Sequence, residues 1–277
     1  MNFIILLLYF ITILLIMTSY GFFTNKFILN SDINKISIGE SGLLSISILL
    51  LISLLIHFLI PINNIVISII ISIGLILFLF FIKEIIYVLK KTPYYYLIGL
   101  FLIFVPFILI FNFHDDYNYY HLPYLNYLQS NKIIFGLANI NTPLAYPQNS
   151  WLNFVSLFRI PNVGESALHI ANAAVFFFFI LYNVEKFIES SNKVTKLYSL
   201  IFIILSFSLF SRLRDFGSEI IPQLIILTVS NLTLHFFLSK PVFSEYRSKY
   251  SLSVGIPFSL QYLLSDSLGL ILYCIQW

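Results

Sequence analysis

Cysteine occurs once in the 277 residues, at Cys274, so the chain can form no internal disulfide. Charge is almost as scarce: Asp, Glu, Lys and Arg make up 10% of the sequence against 59% hydrophobic residues. With a mean hydropathy of +0.94, that composition excludes a soluble globular domain. Soluble metal-enzyme motifs, phosphate-cradling glycine loops and nucleophile elbows are absent. No basic residue precedes the first apolar run and no small-x-small site follows it, which excludes an obvious cleaved signal peptide. Ten-residue segments of alternating hydrophobicity, the mark of a membrane β-barrel, are missing too.

What is present is a series of continuous apolar runs. Backbone N–H and C=O groups in hydrocarbon must pair within the segment, so such runs cross as helices of roughly 17 to 25 residues. They fall at Phe3 to Phe23, Leu43 to Ile60, Ile65 to Ile82, Leu97 to Phe113, Ala167 to Val184, Leu197 to Phe210 and Ile220 to Leu238, with a weaker stretch from Leu252 to Ile275. The expected fold is an all-α polytopic transmembrane bundle of about seven or eight spans. We expect a single membrane domain, with three spans in residues 1–92, a motif-bearing part in 93–240 and an end segment in 241–277.

Lysine and arginine are distributed unevenly between alternate connections. One set holds Lys26, Lys35, Lys83, Lys90, Lys91, Lys186, Lys193, Lys196, Lys240, Arg247 and Lys249; the other holds only Lys132, Arg159, Arg212 and Arg214. The positive-inside rule assigns the first set to the cytoplasm. The N-terminus and the long connection 114–166 are then extracytoplasmic, in a multi-pass protein of the cytoplasmic (inner) membrane. The net charge of +3 is mostly this sidedness, and no nucleic-acid partner is expected.

The connection 114–166 is far longer than an ordinary loop. It opens "HDDYNYYHLPYLNYLQS", for which we expect an interfacial helix from Asp116 to Ser130 with Tyr117, His121, Tyr124 and Leu128 on one face, bent or restarted at Pro123. A turn at Gly136 follows, then the irregular "NINTPLAYPQNS" and a short helix from Trp151 to Phe158 capped by Ser150. Adjacent carboxylates Asp115 and Asp116 beside His114 can act as a general base toward a hydroxyl, or hold a divalent cation against a phosphate. The bland alternative is a helix end meeting water. A second charged cluster, "SRLRDFGSE", places Arg212, Arg214, Asp215 and Glu219 on the same expected side, where guanidinium groups bind phosphate oxygens or snorkel and pair locally.

The order of parts resembles the C-type, lipid-phosphate-sugar-dependent membrane glycosyltransferases: a span, then "DDYNYY", a glycine, the loop "PLAYPQNSW", and a charged outward turn two helices later. That superfamily includes protein mannosyltransferase-like and lipid A aminoarabinose transferase-like enzymes. The "HDDYNYYHLPYL" and "KIIFGLANIN" stretches also resemble a family of uncharacterised bacterial polytopic membrane proteins. The resemblance covers roughly residues 95 to 240. It implies inverting transfer of a sugar from a polyprenyl-phosphate donor to an extracytoplasmic acceptor. Asp115 or Asp116 would be the base or metal ligand, Arg212 and Arg214 would contact the donor phosphate, and Asp215 would be a second acid. His114, Tyr119, Tyr120, His121 and Glu219 would line the substrate site. The acid pair and the Arg212 turn would then lie on the order of 10 Å apart, flanking one reacting carbon. Two departures stand against this: three spans precede the motif-bearing one, and fewer helices follow it than in those enzymes, as in a fragment of a larger protein. The rival reading is a transporter or flippase of lipid-linked glycans, with His169, Asn172, Gln223, Asn231 and His235 along its path. Ordinary interhelical hydrogen bonds account for the same residues.

The basic asymmetry generates a topological prediction. In a Cys274→Ser background, Asn141→Cys should react with an impermeant maleimide on intact cells, and Lys193→Cys only after permeabilisation. The reverse pattern would invert the assignment.

Overall fold

The computed structural model describes residues 3–32, 36–91, 94–109, 117–136, 139, 149–159, 169–208 and 220–239. Among these there are ten α-helices and no strand: α1 (Phe3–Phe23), α2 (Ile38–Leu59), α3 (Asn64–Phe80), α4 (Ile82–Lys91), α5 (Tyr94–Leu109), α6 (Leu122–Ser130), α7 (Asn149–Ser156), α8 (His169–Glu189), α9 (Lys193–Ser208) and α10 (Ile220–Ser239). Single π-helical turns, Thr24–Ile28 and Tyr117–His121, extend α1 and precede α6. The chain forms two compact units, Met1–Thr228 and Val229–Trp277. The description below concerns the first; in the second, the described residues are 229–239 of α10, where Thr233 Oγ1 bonds back to the Val229 carbonyl at 2.7 Å.

Capping sets several boundaries that hydropathy misses. α2 begins five residues before its apolar run because Ser37 stands in extended geometry and its hydroxyl accepts from the Glu40 amide at 3.2 Å. The stretch "SIGE" is the Ser-x-x-Glu signature of such a start. Asn63 caps α3, its side-chain oxygen accepting from Ile65 and Val66 at 3.1 Å each. Proline in the first turn of α6 restarts the helix after the π turn, as expected at Pro123. Gly136 takes φ +83°, and Asn139 closes a turn onto its carbonyl at 3.0 Å. The short loop helix α7 starts at Asn149, so Ser150 lies within it.

Among the described residues, three helices are long and apolar enough to cross a membrane: Ile4–Ile28, Ile38–Leu59 and His169–Glu189. Asn64–Phe80 with Ile82–Lys91 makes a fourth if the bent pair counts as one span. The other expected spans are present as helices α5, α9 and α10. Among the described residues α5 and α9 hold 16 residues each, about 24 Å of helix at 1.5 Å per residue. The weak eighth stretch, Leu252 to Ile275, lies outside the described residues. Large apolar side chains stand exposed along the outer helices, Leu59 at 74%, Ile65 at 69% and Leu79 at 67% among them. Water would penalise such a belt; acyl chains do not.

α8 is the axis of the bundle, packed against α1, α2, α5 and α9 and buried over most of its length. An aromatic cluster fills the space around it: Phe104 meets Phe176 and Phe177 at centroid distances of 5.3 and 5.5 Å, and Phe177 meets Phe10 edge-on at 6.0 Å. On the α2 side the contact is backbone to backbone. A Cβ on Gly39 would overlap the Tyr182 backbone, one on Gly42 the Phe178 ring, and one on Gly21 of α1 the Ser41 carbonyl. Small residues thus set the α1–α2 and α2–α8 distances.

Four buried serine hydroxyls are satisfied locally: Ser19, Ser41, Ser45 and Ser53 donate to carbonyls of their own helices at 2.5–2.8 Å. Tyr20 donates across to the Ile70 carbonyl of α3 at 2.9 Å. The start of α2 meets the end of α8, where the buried Glu185 accepts from the Gly39 amide at 3.0 Å. Lys186 pairs with Glu40 at 3.9 Å beside this contact.

The close approach at Gly39 generates a stability prediction. Gly39→Ala should lose about 1–3 kcal/mol in detergent unfolding, because the overlapped atoms are backbone and cannot rotate away. Alanine's gain in helix propensity, at most about 1 kcal/mol, does not offset this. Gly99→Ala, which meets no atom within 4 Å, should be neutral or mildly stabilising. Equal effects at the two sites would refute the tight crossing.

Candidate functional site at the tyrosine-rich end of the bundle

The tyrosine-rich segment after the acid pair seats on the far end of α2. The Ile62 amide donates to the Leu128 carbonyl at 2.8 Å, and the Ile133 amide to the His57 carbonyl at 3.1 Å. His57 Nε2 lies 3.1 Å from the Asn131 carbonyl, with the Tyr127 ring edge-on at 5.7 Å. The Tyr127 hydroxyl donates to the Lys132 carbonyl at 2.9 Å and accepts from the Ile134 amide at 2.7 Å, closing the strap that follows α6. Burial, helped by neighbouring Tyr127, pushes the Tyr124 hydroxyl up to about 12. Burial also raises Tyr127, opposed by the hydrogen bond from Ile134.

The later part of the same connection is tied in as well. The Trp151 indole N–H of α7 donates to Asn172 Oδ1 of α8 at 2.8 Å, with both residues buried. Phe154 stacks on Trp151 at 4.5 Å. Arg159 donates to Asn126 Oδ1 at 2.9 Å, joining the chain beyond α7 to α6. Two buried amide atoms here have no hydrogen-bond partner, Asn172 Nδ2 and Asn153 Oδ1.

The expected helix face is largely observed. Tyr117, His121, Leu125 and Leu128 are buried and Tyr124 is half-buried. Of the expected substrate residues, Tyr119 is 73% exposed, whereas Tyr120 and His121 pack inward with ring centroids 4.4 Å apart. His114, Asp115, Asp116, Arg212, Arg214, Asp215 and Glu219 lie outside the described residues, and so does the expected approach of the two charged clusters. Among the described residues, no group of three His, Cys, Asp or Glu is placed to hold a metal ion. The residues of the rival reading divide. Asn172 is engaged by Trp151, His169 is buried at the start of α8, and Gln223 is exposed.

Basic residues sort by end. Lys186 pairs with Glu40 at the α2 start, and Lys26 sits 5.5 Å from the Phe80 and Phe81 rings at the α3 end. At the opposite end of α2, Lys132 and Arg159 accompany the tyrosine-rich segment. The contacts missed by hydropathy and motif are the long-range ones: Glu185 looks like a charge at the end of a span, and its partner Gly39 is 146 residues away.

Long apolar helices packed through glycine contacts, with an aromatic polar connection seated on one end, define a helical membrane protein. The family model described as a domain of unknown function (DUF8201) matches residues 3–263, and the chain belongs to that family. No curated protein and no solved structure matches it.

The Trp151–Asn172 bond should be measurable by a double-mutant cycle. Trp151→Phe and Asn172→Ala should couple by about 1 kcal/mol in detergent unfolding. Strict additivity would show that α7 is not anchored to α8 through this bond.

Proposed function

We propose that the chain is a C-type membrane glycosyltransferase, moving a sugar from a polyprenyl-phosphate donor to a hydroxyl acceptor on the extracytoplasmic face. One observation carries the reading: the segment bonded directly to the acid pair is clamped to the bundle end by main-chain bonds through Ile62, His57 and Ile133. Positional catalysis requires a scaffold held in place, because a misplacement of about 1 Å can cost a hundredfold in rate, and the bonds at Leu128 and Ile133 hold the segment that follows the acid pair. In this reading Asp115 or Asp116 takes the acceptor proton, alone or through a divalent cation. Arg212 and Arg214 neutralise the departing lipid phosphate, with Asp215 and Glu219 beside them. The exposed Tyr119 ring offers a face to the sugar. Separation of Lys26 and Lys186 from Lys132 and Arg159 by the length of α2 supports an extracytoplasmic active end.

The transporter reading draws less support. Asn172, one of its intramembrane polar residues, spends its side-chain oxygen on Trp151.

The test is turnover. Asp115→Asn and Asp116→Asn should each accumulate in the membrane at wild-type level. At least one should lower transfer of labelled sugar from polyprenyl-phosphate donors by about a hundredfold or more, since an amide neither accepts a proton nor neutralises a cation. Full activity in both variants would end the glycosyltransferase proposal.

A further inference from the structure

The lysine-rich end carries an element that sugar transfer does not use. α3 stops at Phe80, and after the buried Phe81 the chain bends by 68° into α4, "IKEIIYVLKK". The 17 residues of α3 rise about 25 Å at 1.5 Å each, most of a hydrocarbon core of about 30 Å. With α3 read as crossing, α4 starts near headgroup depth and the 68° bend lays it close to the membrane plane.

Its two faces differ in a way that suits that depth. Ile85 and Val88 are buried against the bundle. Lys83, Ile86, Tyr87 and Lys90, at helical spacing i, i+3, i+4 and i+7, share the opposite face, with Ile86 44% and Tyr87 47% exposed. In water that face would leave two large apolar groups unpartnered, and in the hydrocarbon core it would strand two ammonium groups. At the boundary both are satisfied: the apolar groups reach toward the acyl chains and the lysines toward phosphate oxygens. Lys91 Nζ lies 4.3 Å from the Tyr87 ring centroid, and Lys26 joins the elbow over Phe80 and Phe81. Glu84 is the helix's one acid. The excess positive charge makes negatively charged headgroups the complementary partner.

We propose that α4, with Lys26 at its elbow, is an interfacial helix that gathers anionic phospholipid headgroups around this end of the protein. The surface is independent of the sugar-transfer reading: it sits at the other end of the bundle and needs none of the residues assigned there.

The experiment uses the full chain with Ile86→Cys in a Cys274→Ser background. An environment-sensitive fluorophore is placed at position 86, and the protein is reconstituted into zwitterionic phospholipid containing a minor share of phosphatidylglycerol. Brominated acyl chains are carried by one lipid or the other. Quenching by brominated phosphatidylglycerol should exceed its mole-fraction share by about fivefold, the enrichment that about 1 kcal/mol from one basic residue near an anionic surface produces. It should fall to that share in Lys83→Gln/Lys90→Gln/Lys91→Gln, and at high salt. Brominated zwitterionic lipid should quench both proteins, the unsubstituted one less by the share that phosphatidylglycerol displaces, which shows that α4 remains in the bilayer surface. No quenching by either lipid, or mole-fraction quenching in the unsubstituted helix, overturns the proposal. Should the labelled variant fail to fold, the anionic lipid co-purifying per unlabelled chain gives the same comparison. Equal amounts with and without the three lysines would overturn the proposal as well.

Discussion

The contact on which the bundle depends is the crossing of α2 and α8. Glycines at positions 39 and 42 remove the side chains that would otherwise separate the two backbones, and the Tyr182 main chain and the Phe178 ring occupy the vacated space. Between helices surrounded by lipid tails there is little hydrophobic drive to associate, so close van der Waals packing of this kind carries much of the association. The Glu185 carboxylate then takes up the Gly39 amide, one of the donors at the start of α2 with no partner within its own helix. Shape and polar satisfaction coincide at one place, and α1, α5 and α9 pack around the axis held there.

From that crossing the two ends of the bundle acquire different characters. One gathers lysines, the Glu40–Lys186 pair and the amphipathic α4. The other carries α6 and α7, tied down by main-chain bonds and the Trp151–Asn172 contact. The described parts of a connection that would cost much entropy to order as a free loop are thereby fixed at a few points. The division of labour proposed above, sugar chemistry at one end and lipid charge at the other, follows from this separation along α2.

Much of the helical content was legible from hydropathy, since a long apolar run in a bilayer has few alternatives to a helix however β-prone its Ile, Val and Phe residues are. The inward face of the tyrosine-rich segment, the restart at Pro123 and the turn at Gly136 followed from local rules of the same kind. The early start of α2 was legible as well, in the Ser-x-x-Glu box at Ser37, but a hydropathy window passes over a cap because capping residues are polar. The break after Phe80 was not legible, because the apolar run continues through Phe81 and Ile82. Of the candidate site, the sequence indicated the segment and its anchoring face. It did not separate exposed Tyr119 from buried Tyr120 and His121, since three neighbours on a helix differ only by which side meets the bundle.

The amino-acid sequence by itself determined that the chain is a membrane protein built of helices, that its basic residues are segregated, and that one long connection is polar and aromatic. These are properties of composition and local spacing, which the solvent reads directly. Only tertiary structure decided that Gly39 faces Glu185 across 146 residues, that Trp151 reaches Asn172, and that α8, the least apolar of the three long helices, is the buried axis while α3 faces outward. Hydropathy measures how readily a helix leaves water but carries no information about which helix it then touches. That choice rests on the matching of small residues to large ones and of single donors to single acceptors, and both exist only once the backbones have met.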